Sequence, residues 1–292
     1  MQALFGQLLI GLINGSFYAL LSLGLAVIFG LLNIINFAHG ALYMLGAFCA
    51  WYLLQSVHIG SFHFGYWSSL VIAPIVVGIF GMLIERTMLK RLYKLDHLYG
   101  LLLTFGLALV IQGVFRNEFG VSGLPYEVPR ALTGGINLGF MFLPIYRAWA
   151  IAASLVVCLA TWYVIERTKL GSYLRAATEN PTLVKAFGVN VPLMITLTFG
   201  FGVALAAFAG VMAAPIYQVS PMIGADIIIV VFAVVVIGGM GSIMGAIVTG
   251  FGLGIVEGLT KYFYPEASTT VIFVIMVIVL IIKPTGLFGK ER

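Results

Sequence analysis

From Ala3 to Leu54 the chain carries no aspartate, glutamate, lysine or arginine. A run of that length is enough for two bilayer crossings, since about 20 apolar residues span a hydrocarbon layer about 30 Å thick. Inside that layer each backbone N–H and C=O has to be satisfied within the segment, which restricts such a run to helix. Composition extends the constraint to the whole chain: 62% of residues are hydrophobic and 9% charged, where a soluble domain has about 25% charged. The expected fold is an all-α integral membrane protein, a polytopic helical bundle, and its 35 glycines suit close helix packing.

Apolar stretches of crossing length fall at 5–31, 36–56, 68–88, 99–116, 148–166, 192–214, 223–239, 243–261 and 267–283. These nine segments are expected to form a single transmembrane domain over residues 1–292. Only Asn33, Asn36 and His39 interrupt the first long run, so eight crossings plus a re-entrant or broken helix is the alternative count. The start, MQALFGQ, lacks a basic n-region, and the run behind it exceeds the roughly 7–15 residues of a signal-peptide core, so the first segment reads as retained. Cys49 and Cys158 lie inside apolar runs without CxxC spacing or histidine neighbours, and read as buried small residues rather than a disulfide or metal site.

Lysine and arginine decide sidedness, because they accumulate in cytoplasmic loops. Arg86, Lys90, Arg91 and Lys94 share one loop, Arg167, Lys169, Arg175 and Lys185 another, and Lys283, Lys290 and Arg292 the tail. Threading the segments puts all of these on one side and leaves Arg116, Arg130, Arg147 and Lys261 on the other. Residues 167–190 and the C-terminus are therefore expected in the cytoplasm, and the loop 117–147 outside. The formal charge of +5 becomes an orientation signal and gives no reason to invoke nucleic acid.

Within LRAATENPTLVKAFGVN, Leu174 to Asn190, Asn180 and Pro181 form a helix start, and Gly188 falls where a left-handed C-cap belongs. Thr182 to Phe187 makes under two turns, too short to hold alone against the cost of nucleation. Leu183, Val184 and Phe187 share an apolar side, with Thr182 and Lys185 elsewhere. That side needs cover, and three surfaces are open at this point: the chain's own bundle, the lipid headgroup region, or a groove on a partner protein.

A charge at the bilayer centre costs about 2.5–3.5 kcal/mol on insertion scales. Asp226 and Glu257 thread near the outer ends of their segments. Snorkelling to the interface is the plain reading there, and the mouth of a polar pathway the functional one. Glu85 and Glu166 precede Arg86 and Arg167 at inner ends and read as interfacial anchors. In NIINFAHG, Asn33, Asn36 and His39 are either interhelical hydrogen-bond glue or part of unwound backbone lining a cavity. The candidates for lining a pathway are thus Asn33, Asn36, His39, Asp226 and Glu257.

Gly241 and Gly245, then Gly250, Gly254 and Gly258, recur at four-residue steps, a pattern for close helix contact. GALYMLGAF and GMGSIMGAI align Gly40, Gly46 and Ala47 with Gly239, Gly245 and Ala246, a faint internal repeat of the kind transporters use. No G-x-x-x-x-G-K-[ST] phosphate loop occurs: GLFGKER is too short and lacks the Ser or Thr. Neither HExxH, GxSxG, a Cys–His cluster nor paired carboxylates anchor an enzyme or a metal site.

Taken together, INFAHGALYMLGA (35–47), LGSYLRAATENPTLVKAFGVN (170–190), VVVIGGMGSIMGAIVTG (234–250) and KPTGLFGK (283–290) resemble the inner-membrane permease subunits of bacterial branched-chain amino acid ABC importers, in order and across nearly the whole chain. The resemblance implies a multi-pass, non-enzymatic subunit that forms half of a translocation pathway in the bacterial inner membrane. It implies a heterodimer with a second, homologous permease, two cytoplasmic ATPases that hold the ATP and Mg²⁺, and a periplasmic substrate-binding protein; the chain itself is expected to bind no cofactor. It also implies that Asn180, Pro181, Leu183, Val184, Lys185, Phe187 and Gly188 couple the permease to its ATPase.

One departure bears on cargo. Family members often carry a lysine in the span before the Gly-Gly turn, whereas GADIIIVVFAVVVIGG (224–239) has Val230 or a neighbour there. Branched-chain amino acids are the expected cargo, with other amino acids, urea or short amides as alternatives. An ion-coupled secondary transporter acting alone is the rival mechanism. The scarcity of central charge disfavours proton coupling, while Na⁺ held by carbonyls is allowed.

Overall fold

The computed structural model describes residues 2–32, 36–56, 58–59, 62–63, 65–93, 95–139 and 141–289. The sequence winds into α1 (Gln2–Leu32), α2 (Ala38–Ser56), α3 (Tyr66–Thr87), α4 (His97–Phe119), α5 (Ile145–Arg167), α6 (Lys169–Glu179), α7 (Pro181–Ala186), α8 (Val191–Tyr217), α9 (Ile223–Gly238), α10 (Ile243–Phe263) and α11 (Val271–Ile282). Each of the nine apolar segments coincides with one of these helices, because each is a long run of helix-compatible apolar residues, and side-chain caps start several of them. Asp96 starts α4 by accepting from the Leu98 N–H at 2.9 Å, Asn190 starts α8 through the Leu193 N–H at 3.1 Å, and Ser242 starts α10 through the Gly245 N–H at 3.1 Å. Among the described residues six helices are long and apolar enough to cross a membrane, α1, α3, α4, α5, α8 and α10, and α9 and α11 are shorter apolar helices. The chain is a multi-pass α-helical membrane protein. Two small hairpins depart from the all-α expectation: β1 (His58–Ile59) with β2 (Phe62–His63), and β3 (Gly135–Asn137) with β4 (Phe142–Pro144), both antiparallel and both in connections between helices.

Contacts gather the residues into two compact units, one of 1–23, 128–160 and 229–292, the other of 24–127 and 161–228. In the first, α1 and α10 pack through small residues. A Cβ on Gly250, Gly254 or Gly258 would collide with Ala19, the Gly11 carbonyl or the Gln7 carbonyl respectively. Contact positions that rise on α10 fall on α1, so the two helices run antiparallel. Ala233, Val234, Ile237, Leu253 and Ile272 form the core of this unit, and the C-terminal tail returns to it, with the Leu287 N–H donating to Ile237 O at 2.8 Å and the Phe288 N–H to Gly238 O at 3.1 Å.

Two glycine expectations need correction. Gly241 lies on no helix face: it sits in the α9–α10 turn at φ +86, because Ser242 begins the next helix. The faint repeat departs at its first glycine, since Gly40 is helical and Gly239 has φ +102, whereas Gly46 with Gly245 and Ala47 with Ala246 are helical in both copies.

In the second unit α2, α3 and α8 enclose a core of Ile28, Leu42, Val77, Ile84, Phe199 and Val203. Phe48 of α2 packs on Phe115 and Phe119 of α4, with ring centroids 4.8 and 4.9 Å apart.

Candidate functional site

The polar stretch between α5 and α8 is built by local chemistry. A Cβ at Gly171 would overlap the Ile165 carbonyl, so glycine lets α6 fold back against the last turn of α5. Arg175 then fastens α6 there, its guanidinium donating to Ile165 O at 2.8 Å and to Glu166 Oε2 at 3.2 Å. Leu174 is buried beneath. Asn180 both ends α6, through its N–H to Ala176 O at 2.9 Å, and starts α7, its Oδ1 accepting from the Leu183 N–H at 2.9 Å. Pro181 occupies the first helical position, where its missing N–H is no loss. Gly188 follows the C-cap at φ +82, a left-handed conformation that favours glycine.

The apolar side of α7 divides in two. Val184 is 7% exposed and packs inward, whereas Leu183 is 55% and Phe187 79% exposed. The chain's own bundle therefore covers one of the three residues expected to share a face, and two apolar side chains project from a polar loop beside the exposed Lys185.

One carboxylate of the same unit departs from its expected place. Glu85, at the end of α3, is 1% exposed and is no interfacial anchor. Its Oε1 accepts from the Tyr93 hydroxyl at 2.5 Å and its Oε2 from the Thr196 hydroxyl of α8 at 2.6 Å. Tyr93 follows the 3₁₀ turn Leu89–Arg91. Burial, then the hydrogen bond to Glu85 and the charge of that carboxylate, push the Tyr93 phenol well above its usual value, so it stays protonated as the donor. A cavity of about 220 Å³ lies between this connection and the α6–α7 junction, lined by Leu92, Tyr93, Asp96, Thr178, Pro181 and Ile195 among others.

The candidate pathway residues are dispersed. Asn33 lies outside the described residues, as do Lys94, Lys290 and Arg292 of the charge argument. Asn36 is buried before α2. Its Oδ1 accepts from the Ala38 N–H at 3.1 Å, and its Nδ2 has no partner among the described residues. His39 is buried, with its imidazole against Gly24. Asp226 is exposed in the first turn of α9, in the same unit. Glu257 belongs to the other unit and corrects the snorkelling expectation: it is buried, accepting from Asn14 Nδ2 at 3.3 Å and from the Tyr18 hydroxyl at 2.8 Å. What sequence reasoning missed was partly visible in it. Gly11 and Gly15 already have the spacing of a packing stripe, and Leu170 and Leu174 have the spacing of a helix. The partners of Glu85 and Glu257 left no local signal.

Comparison with known proteins adds a second line of evidence. The family profile described as branched-chain amino acid transport system / permease component matches residues 7–280. The high-affinity branched-chain amino acid transport system permease protein LivH of Escherichia coli (strain K12) is 29% identical, the alignment covering 98% of this chain and 96% of LivH. The permease protein BraD of the corresponding system in Pseudomonas aeruginosa is 31% identical over the same shares of each chain, 98% and 96%. LivM of E. coli K12, a second permease protein of a high-affinity branched-chain amino acid transport system, is 27% identical over 94% of this chain and 68% of LivM.

Proposed function

Because the chain belongs to the family of permease components of branched-chain amino acid transport systems, we propose that it forms half of the inner-membrane pathway of an ATP-driven importer for branched-chain amino acids. Likeness to LivH and LivM alike supports a heterodimer with a second, related permease. Two cytoplasmic ATPases would hold ATP and Mg²⁺, and a periplasmic binding protein would deliver the cargo. The observation that carries the coupling is the exposed pair Leu183 and Phe187 on the short capped helix α7. In this reading the pair enters a groove on an ATPase. Closure of the ATPase dimer then shifts the permease, as one transmembrane domain, between inward- and outward-facing states. Nine crossings agree with the antiparallel α1 and α10, since omitting one intervening crossing would make them parallel. With nine crossings the two ends lie on opposite sides, and the lysine- and arginine-rich loops support a cytoplasmic C-terminus. Asn33, Asn36, His39, Asp226 and Glu257 are the polar groups offered to the pathway.

The cognate binding protein tests the cargo. Calorimetric titration should show tight binding of leucine, isoleucine or valine; binding of urea or a short amide in their place would transfer the same machinery to that cargo. Purification of the tagged chain from native membranes should bring the second permease and the ATPases with it.

A further inference from the structure

We propose that Glu85 is a positioning residue that carries movement of α7 into α3 and the connection behind it, by holding the Thr196 hydroxyl of α8 and the Tyr93 hydroxyl on its two carboxylate oxygens. The inference rests on α7 being the ATPase-coupling helix. From α7 the chain passes to α8 with almost no slack. The Val189 N–H donates to Val184 O at 3.4 Å, the Val191 N–H to Val189 O at 3.0 Å and the Met194 N–H to Asn190 O at 3.1 Å. A displacement of α7 is therefore delivered to the opening turns of α8, where Thr196 sits.

The single Thr196 hydroxyl proton goes to the nearer acceptor, Glu85 Oε2 at 2.6 Å, with the alternative acceptor of its own helix, Pro192 O, 3.1 Å away. On the α3 side the glycines Gly78 and Gly81 bring the helix against Gly200 and Val203 of α8, and Glu85, one turn beyond Gly81, extends that contact to Tyr93 and the connection after α3. On the other oxygen, Tyr93 belongs to a wall of the cavity of about 220 Å³ that the α6–α7 junction also lines, and that cavity gives the junction room to move. A carboxylate with 1% exposure and hydroxyls from two separate elements loses a charge-assisted hydrogen bond when either hydroxyl is removed. Snorkelling to the membrane surface, the ordinary role of an acid at a helix end, would leave the side chain exposed.

The test uses the whole importer, both permeases with ATPases and binding protein, in liposomes, and reads leucine imported per ATP hydrolysed alongside ATPase co-purification. Glu85→Ala should keep the ATPases at the wild-type ratio and lower transport per ATP roughly 100-fold, since it removes two charge-assisted hydrogen bonds worth about 10-fold each. Glu85→Gln, which keeps the shape and one acceptor oxygen, should recover part of that loss. Tyr93→Phe and Thr196→Val remove one hydroxyl each and should give intermediate losses, and they keep the test open if Glu85→Ala does not fold. Adding Tyr93→Phe to Glu85→Ala should lower the ratio no further. Wild-type transport per ATP in these variants would overturn the proposal, and so would loss of the ATPases from them. Leu183→Asp with Phe187→Asp separates the two readings: if that variant keeps its ATPases the docking assignment fails, whatever the Glu85 variants do.

Discussion

Replacing Leu183 and Phe187 together by alanine removes the two apolar side chains that α7 presents outward. Fully burying a side chain of this kind is worth about 1.5–3 kcal/mol. Scaled by exposures of 55% and 79%, their cover by a partner amounts to about 2–4 kcal/mol, or roughly 30- to 1000-fold in affinity. Val184 gives the internal contrast. At 7% exposure it has almost nothing left to bury on a partner, so Val184→Ala should cost about 1–2 kcal/mol of fold stability and leave docking nearly unchanged. Titrating purified ATPase against the permease pair in nanodiscs, with thermal melting beside it, separates the two effects. Binding of the double variant within about 3-fold of wild type, a change of under 1 kcal/mol, would refute the docking surface. So would Val184→Ala weakening docking as much as the double variant does.

Two further outcomes follow from the packing and the loops. Gly254→Ala puts a Cβ onto the Gly11 carbonyl, whereas Gly252→Ala meets nothing within 4 Å. The first should lose about 1–3 kcal/mol of stability by overpacking, and the second should be neutral or gain up to about 1 kcal/mol. Equal melting temperatures for the two would contradict the α1–α10 contact. The Tyr126 phenol, in the connection between α4 and α5, is pushed from 10.0 up to about 12, chiefly by burial. The fold then favours the neutral form: its contribution is complete below pH 10 and is lost as the pH rises towards 12, where the unfolded chain has released a proton the folded chain keeps. Tyr126→Phe should flatten that alkaline decline in stability, and an unchanged slope would count against the assignment.

How much of this was legible depended on whether the cause was local. The uncharged run from Ala3 to Leu54 and the runs after it specify helices by themselves, and each of the nine apolar segments holds a helix, six of them among the described residues long and apolar enough to cross a membrane. The caps at Asn180, Pro181 and Gly188 are equally local, since each acts on N–H groups or φ angles within a few residues. The pattern on α7 showed an apolar side but not which part of it the protein already covers, because burial of Val184 depends on elements distant in the chain. The glycine series failed at Gly241 for a local reason that was overlooked: Ser242 is a good N-cap, and a helix that begins after it cannot hold Gly241 on a packing face. Glu85 and Glu257 were read as interfacial from their neighbours in sequence. Of the Glu85 partners Tyr93 comes back across a turn and Thr196 lies far along the chain, as do Asn14 and Tyr18 from Glu257, and a charge near a helix end looks the same whether it reaches water or a buried hydroxyl.

The central claim is that this chain moves branched-chain amino acids only as part of an ATP-driven assembly. Uptake of radiolabelled leucine into proteoliposomes measures it directly, comparing the chain alone with the chain joined by the second permease, the ATPases and the loaded binding protein. The account predicts uptake that requires every component together with ATP and Mg²⁺, and none from the chain alone under a Na⁺ or proton gradient. Gradient-driven uptake by the chain alone would contradict it.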